Sequence, residues 1–236
     1  MHDSHSTAPI RIGMLIFPNF TQLDLTGPYA VFSRMPNTEV LLIGTTSPVR
    51  SDDGLTIVPQ VQLTHAPLLD VVFVPGGAGV NQVMENQEVL DFLRIQDRHA
   101  RFVTSVCTGA LVLAAAGLLR GHRAATHWLS MDLLPALGVE PVYERVVVDG
   151  KYITAGGVTA GIDFGLTIVA QLLDEHIARK IQLVLEYDPH PPFDSGSPKT
   201  ADPKLVEEVS QERASIQQQR RQIVERIAVK TKSKTH

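Results

Sequence analysis

Residues 101–116 read RFVTSVCTGALVLAAA. The first six, Arg101 to Val106, are apolar and β-branched enough for a buried strand, and Ala110 to Ala116 is a run of apolar helix formers. Between them stands Ser105-Val106-Cys107-Thr108-Gly109, and Cys107 is the only cysteine in the chain. A strand turning through Ser-x-Cys-x-Gly into a helix has the layout of a nucleophile elbow. The small residues at 105 and 109 permit a tight, strained turn, and the side chain between them points into a cleft. A thiol at a helix N-terminus also meets the partial positive charge of unpaired N–H groups, which favours the thiolate. Free cysteines are more often inert and buried; the elbow context favours a reactive one.

Outward from this stretch, residues 10 to about 185 alternate strand and helix patterns, which predicts a parallel sheet covered by helices. Ile10 to Phe17 reads as the first strand. Gly27 to Ser33 predicts a short helix with Pro28 in its first turn, where a missing N–H costs nothing. Glu39 to Gly44 is a second strand, and Asp70 to Val74 a buried one that runs into Pro75-Gly76-Gly77. A helix over 87–99 leads back to the cysteine strand. Val142–Val148 and Tyr152–Thr154 flank a hairpin signal at Asp149-Gly150. Two helices, over 162–173 and 174–185, follow.

After Glu186 four prolines and a glycine between Asp188 and Pro198 exclude regular structure. Pro203 to Ile227 then reads as one polar helix with a thin apolar stripe of Val206, Val209, Ile216, Ile223 and Ile227. The expected organisation is a disordered N-terminus over 1–9, an α/β domain over 10–186, and a Pro-rich connector with a C-terminal helix and basic tail over 187–236.

The 236 residues carry a net charge of −4, with 44% hydrophobic and 19% charged side chains, so nothing global draws the chain to nucleic acid or an anionic membrane. A single cysteine cannot form an intramolecular disulfide, and no Cys/His cluster is spaced for zinc; no metal or cofactor is expected. The N-terminus lacks the basic and apolar regions of a secretory signal, and no 18-residue apolar run occurs, which points to a cytoplasmic protein. The last 17 residues hold six Lys/Arg against one Glu, a composition more common in frayed ends than in nucleic-acid arms. The thin stripe cannot stabilise a lone helix in water. Residues 199–236 should therefore pack on the domain or a partner subunit as a structural extension outside the Cys107 chemistry.

Asp24, in Leu23-Asp24-Leu25-Thr26-Gly27-Pro28, follows the first strand, and ligands of open α/β sheets bind beyond the carboxyl ends of strands. It could instead be a turn or capping aspartate. Its leucine neighbours imply partial burial, which raises a carboxyl pKa and suits a proton donor. Gly76-Gly77 offers backbone N–H groups for an oxyanion hole. Gly156-Gly157-Val158-Thr159-Ala160-Gly161 lacks the lysine and spacing of a phosphate loop and suits close packing at a pocket wall. His127, before the lone Trp128, is either a partner of Cys107 or, more simply, a structural or pocket-lining histidine.

Together these residues resemble the DJ-1/PfpI superfamily over roughly residues 10–185. The matching pieces are Asp24 in Leu-Asp-x-x-Gly-Pro, Val74-Pro75-Gly76-Gly77, the Cys107 elbow, Thr126-His127-Trp128, and Ala155-Gly156-Gly157-Val158-Thr159-Ala160-Gly161-Ile162-Asp163. PfpI-type proteases have His after the elbow Cys, where this chain has Thr108. Within the superfamily the pattern looks most like the isocyanide hydratase branch, which carries Asp where DJ-1 carries Glu. The resemblance implies a flavodoxin-like sheet sandwiched by helices with a C-terminal helical extension, a homodimer, and cofactor-free hydration of a small-molecule isocyanide. Cys107 would be the nucleophile, Asp24 the proton carrier, and Thr108 a hydrogen-bond partner of Asp24 or of the water, with the amides near Gly77 and Thr108 orienting the reacting group. Gly77, Gly157, Val158 and His127 would line the substrate pocket. Two other readings share parts of the pattern. One is a DJ-1-like stress protein or glyoxalase, disfavoured by the short Asp24. The other is the ligand-sensing domain of AraC-type regulators, which continue into helix-turn-helix units that this sequence does not show.

Overall fold

The computed structural model describes residues 8–233. In chain order its elements are β1 (Ile10–Ile16), α1 (Gln22–Phe32), β2 (Thr38–Gly44), β3 (Val49–Arg50), β4 (Thr56–Ile57), β5 (Val61–Gln62), β6 (Val71–Val74), α2 (Val80–Val83), α3 (Gln87–Asp97), β7 (Phe102–Val106), α4 (Gly109–Ala115), β8 (Arg123–Ala124), a 3-10 helix (Trp128–Leu137), β9 (Glu140–Pro141), β10 (Val146–Asp149), β11 (Tyr152–Ala155), α5 (Ala160–Leu172), α6 (Glu175–Val184), α7 (Pro203–Glu212) and α8 (Ala214–Ser233).

Seven strands form one sheet in the order β10-β11-β7-β6-β1-β2-β5, parallel throughout except for the β10–β11 hairpin. A strand flanked by strands and covered on both faces must be apolar on both, and Val71, Val72, Phe73 and Val74 are all fully buried. On one face α1 packs on α5 and α5 on α6; on the other, α3 and α4 pack on β6 and β7, with the 3-10 helix against α4 and α8. From β1 the chain goes first to β2 on one side and later to β6 on the other, so the order reverses between β1 and β6. The crevice beyond the carboxyl ends of β1, β6 and β7 is therefore where a ligand site belongs. No helix among the described residues is long and apolar enough to cross a membrane.

Four expectations are corrected. Helix α1 begins at Gln22 rather than Gly27, so Asp24 lies in its first turn and Pro28 inside it. The hairpin turn is Gly150-Lys151, one residue on, because Asp149 pairs with Tyr152. The single C-terminal helix is two, broken at Arg213. The basic tail does not fray over its described part. Arg221 pairs with Asp132, Arg226 with Glu85 at 2.8 Å, and Arg220 is buried. The disordered segment expected over 1–9 lies, up to residue 7, outside the described residues, as do residues 234–236.

Candidate active site

Three turns converge at the crevice. The β1–α1 turn is tied to the β6–α2 turn, with the Thr21 N–H donating to the Gly76 carbonyl at 2.9 Å and Gly79 N–H to the Asn19 carbonyl at 2.9 Å. The third turn is the elbow between β7 and α4. Cys107 sits there at φ 56°, a left-handed conformation that costs a non-glycine residue roughly 1 kcal/mol or more. Its surroundings hold it in place. Its N–H reaches the Ala155 and Gly156 carbonyls at 3.0 and 2.9 Å, and the Thr126 hydroxyl donates to its carbonyl at 2.8 Å. Gly109 is required just after it, since a Cβ there would collide with the Val74 carbonyl oxygen.

Asp24 lies beneath the thiol with no exposed surface. Its Oδ2 accepts the Gly76 N–H at 2.9 Å, while its Oδ1 is buried without a hydrogen-bond partner, leaving that atom to carry or accept a proton. Gly76 must be glycine for this approach, because a Cβ would come within 2.6 Å of the Thr108 nitrogen and 2.8 Å of Asp24 Oδ2. Burial raises the Asp24 pKa to about 7, against the Gly76 hydrogen bond and the nearby thiol, which lower it. Cys107 is also pushed up, first by burial and then by the charge of Asp24; the Thr108 and Val158 N–H groups act in the opposite direction. Helix-terminus stabilisation of a free thiolate is thus outweighed by desolvation. The two groups sit as a coupled pair, and as pH falls below about 7 they hold up to one proton more than two isolated groups would, because the buried Asp24 carboxyl is then protonated.

The expected oxyanion hole is corrected at Gly76-Gly77. The Gly76 N–H is taken by Asp24 and the Gly77 N–H by Thr108 Oγ1 at 3.1 Å, so Thr108 serves the Gly77 turn rather than Asp24. The amides that face the sulfur belong to Thr108 and Val158. Val158 holds its amide there at φ 22°, a strained conformation for a β-branched residue. His127 caps the 3-10 helix, its Nδ1 accepting the Leu129 N–H at 3.3 Å. Burial, then the charges of Arg220 and Arg213, hold its pKa down to about 4, so the imidazole is neutral.

A cavity of about 660 Å³ opens above the thiol. Of the residues expected at the site, Cys107, Thr108, Gly77, His127 and Val158 line it. Asp24 is sealed below, behind the thiol. Gly157 packs on the His127 ring and faces an adjoining groove instead. The rest of the wall was not anticipated: Val209, Arg213, Ile216, Gln217 and Arg220 from α7, α8 and their junction close one side, and Asp52 and Asp53 stand at another. The C-terminal segment is therefore part of the cleft and not an extension remote from it. A stripe of five aliphatics in a polar helix signals only that the helix packs somewhere; nothing in the sequence names the surface.

Compared with known proteins, the chain is 52% identical over 222 residues to a Pseudomonas putida protein named isonitrile hydratase, covering 94% of this chain and 97% of that one. A solved THiJ/PfpI family protein from Pseudomonas syringae superposes with a TM-score of 0.89 at 39% identity, covering 92% of this chain and 90% of that one. The transcriptional regulator GbdR of Pseudomonas aeruginosa (strain UCBPP-PA14) is 30% identical over 194 residues, which are 76% of this chain and 51% of the regulator. The DJ-1/PfpI family model matches residues 10–171, a span holding Asp24, the Cys107 elbow and the Val158 amide. On that match, the chain belongs to the DJ-1/PfpI family.

Proposed function

We propose that the protein is an isocyanide hydratase, converting R–N≡C and water to R–NH–CHO, with Cys107 as nucleophile and Asp24 as proton carrier. The observation that carries this is the likeness to the isonitrile hydratase of Pseudomonas putida, which runs through nearly the whole of both chains and includes the α7–α8 wall. The thiol–carboxyl pair suits the chemistry. The terminal carbon of an isocyanide takes up a nucleophile and a proton at the same atom. In the first step the Cys107 sulfur bonds to that carbon while the thiol proton, passed through Asp24 Oδ1, goes to it as well. The product is the thioimidate R–N=CH–S–Cys107. Water then adds to the same carbon; Asp24 takes a water proton and the nitrogen gains one. The tetrahedral adduct R–NH–CH(OH)–S–Cys107 collapses, the C–S bond breaks, and the hydroxyl proton returns through Asp24 to the leaving sulfur. The Thr108 and Val158 amides stabilise charge on the sulfur at both ends of the sequence. These steps call on no metal or cofactor.

The test is incubation with a simple aryl isocyanide while formamide is followed by absorbance or NMR. Because Asp24 must be ionised to receive the thiol proton, kcat/KM should rise as pH climbs from 5 and level off above about 7, where the carboxyl titrates. Absence of formamide at any pH overturns the proposal.

We further infer a homodimer working in the cytoplasm, with neither nucleic acid nor membrane as partner. Leu183 and Val184, 81% and 71% exposed on α6, provide apolar surface that a second copy would cover. The tail arginines already engaged by Asp132 and Glu85 are poorly placed to neutralise phosphates. Light scattering at micromolar concentration should report twice the chain mass; a monomer there refutes the dimer.

A further inference from the structure

Among the described residues, Arg220 is the most unusual charge. It reaches the cleft from α8 and is only 3% exposed. Its Nε donates to Asn81 Oδ1 at 2.9 Å, Nη1 to Ser130 Oγ at 3.2 Å, and Nη2 to the Gly77 carbonyl at 3.3 Å. All three acceptors are neutral, and no carboxylate lies within ion-pair distance of it among the described residues. A guanidinium cannot shed its proton in a protein, and burying an ion without a counter-ion is costly. The neighbouring arginines of the same helix are paired with Asp132 and Glu85 at the surface, so the lack of a partner is particular to this position.

We propose that Arg220 is a positioning residue of the reaction: from α8 it supplies a fixed positive charge to the Cys107 cavity and braces the Gly77 turn that holds Thr108. The brace is continuous, since the Gly77 carbonyl accepts from Arg220 while the Gly77 N–H donates to Thr108 Oγ1. The charge acts where the reaction places negative charge, on the attacking and departing sulfur. Burial disfavours the guanidinium's charge and Cys107 favours it. The same cation, with Arg213, adds to the burial that keeps His127 neutral. The other charged groups lining the cleft are Asp52 and Asp53 at the rim and Arg213 at the α7–α8 junction, with Asp24 sealed below the thiol. The inference rests on Cys107 being the reacting thiol and is independent of which electrophile it meets.

The test follows alkylation of Cys107 by iodoacetamide between pH 6 and 10, which needs no turnover of an isocyanide. Asn81→Asp keeps the shape and the Arg220 Nε hydrogen bond but installs a counter-ion. Alkylation should slow roughly tenfold or more across this range and kcat should fall with KM little changed, while the protein stays folded and gains stability from the new pair. Arg220→Lys should remain within about threefold of wild type, and Arg220→Met should match Asn81→Asp in alkylation rate. If Arg220→Met does not fold, Asn81→Asp decides alone. Wild-type alkylation in Asn81→Asp, across the whole pH range, overturns the proposal and leaves Arg220 a structural brace. Loss of formamide formation with normal alkylation in wild type would count against the hydratase assignment and not against this one.

Discussion

Replacing Cys107 with alanine is expected to end formamide production, leaving less than about a hundredth of the wild-type rate, because a covalent nucleophile carries several decades of catalysis. The fold should survive. Cys107 is 5% exposed, and alanine removes only the sulfur from a residue whose backbone stays held by the Ala155 and Gly156 carbonyls and the Thr126 hydroxyl. The cost is on the order of 1 kcal/mol. Circular dichroism and a thermal melt within a few degrees of wild type would establish that. Incubation of wild type with substrate, followed by acid quench and mass spectrometry, should show one whole substrate mass added at Cys107, since thiol addition to R–N≡C expels nothing. The alanine variant should show none. Activity in Cys107→Ala above the stated limit would mean that water attacks without a covalent step.

The second large effect is at Asp24. Asp24→Asn preserves the Gly76 hydrogen bond to the side-chain oxygen but cannot cycle a proton, so turnover should fall roughly 100-fold or more. Thioimidate should accumulate on Cys107 in this variant, because water addition loses its base. The same substitution has a stability signature of definite sign. The folded-state pKa of Asp24, about 7, lies above its ordinary value of 3.8. Its favourable contribution is therefore complete below about pH 4 and is lost as pH rises through 7, where the buried carboxyl is forced to ionise. Asparagine escapes that penalty. At pH 8 the variant should melt higher than wild type, the penalty removed being on the order of 4 kcal/mol, and the gap should close towards pH 4. A variant with wild-type turnover would move the acid–base role elsewhere, and neutral His127 would be the next group to test.

Legibility differed sharply between parts of the chain. The elbow could be read because its requirements are local: a strand, a residue forced to positive φ, and a glycine where a Cβ has no room. Asp24 can be placed because it follows β1, yet the start of its helix is not legible. Pro28 suggested a first turn, but α1 begins at Gln22 and tolerates Pro28 inside. Burial of Leu25, Val31 and Phe32 offsets the lost N–H, which would have bonded the Asp24 carbonyl. At Gly76-Gly77, though not at the Thr108 amide, the oxyanion reading is overturned for a different reason. Gly76-Gly77 has the amides, but which atoms they meet depends on Asp24 and Thr108 arriving from elsewhere in the chain. Arg220 was the least legible of all. Its partners at Gly77, Asn81 and Ser130 are 90 or more residues away, and in sequence it is one arginine among several in a polar helix.

The wall formed by Val209, Ile216 and Gln217 has a consequence for how such a protein diverges. It is encoded downstream of residue 171, where the family match stops, whereas the thiol, the carboxyl and the amides facing the sulfur are encoded upstream of it. A single recombination in the intervening Pro-rich stretch, which contributes no residue to the reacting centre, would exchange one side of the cleft and leave the thiol, the carboxyl and the amides in place, provided the incoming helix again carries an arginine at the place of Arg220. Diet and reactivity are thus largely separately heritable, and libraries over codons 203–233 that keep Arg220 should change what the protein accepts more readily than what it does.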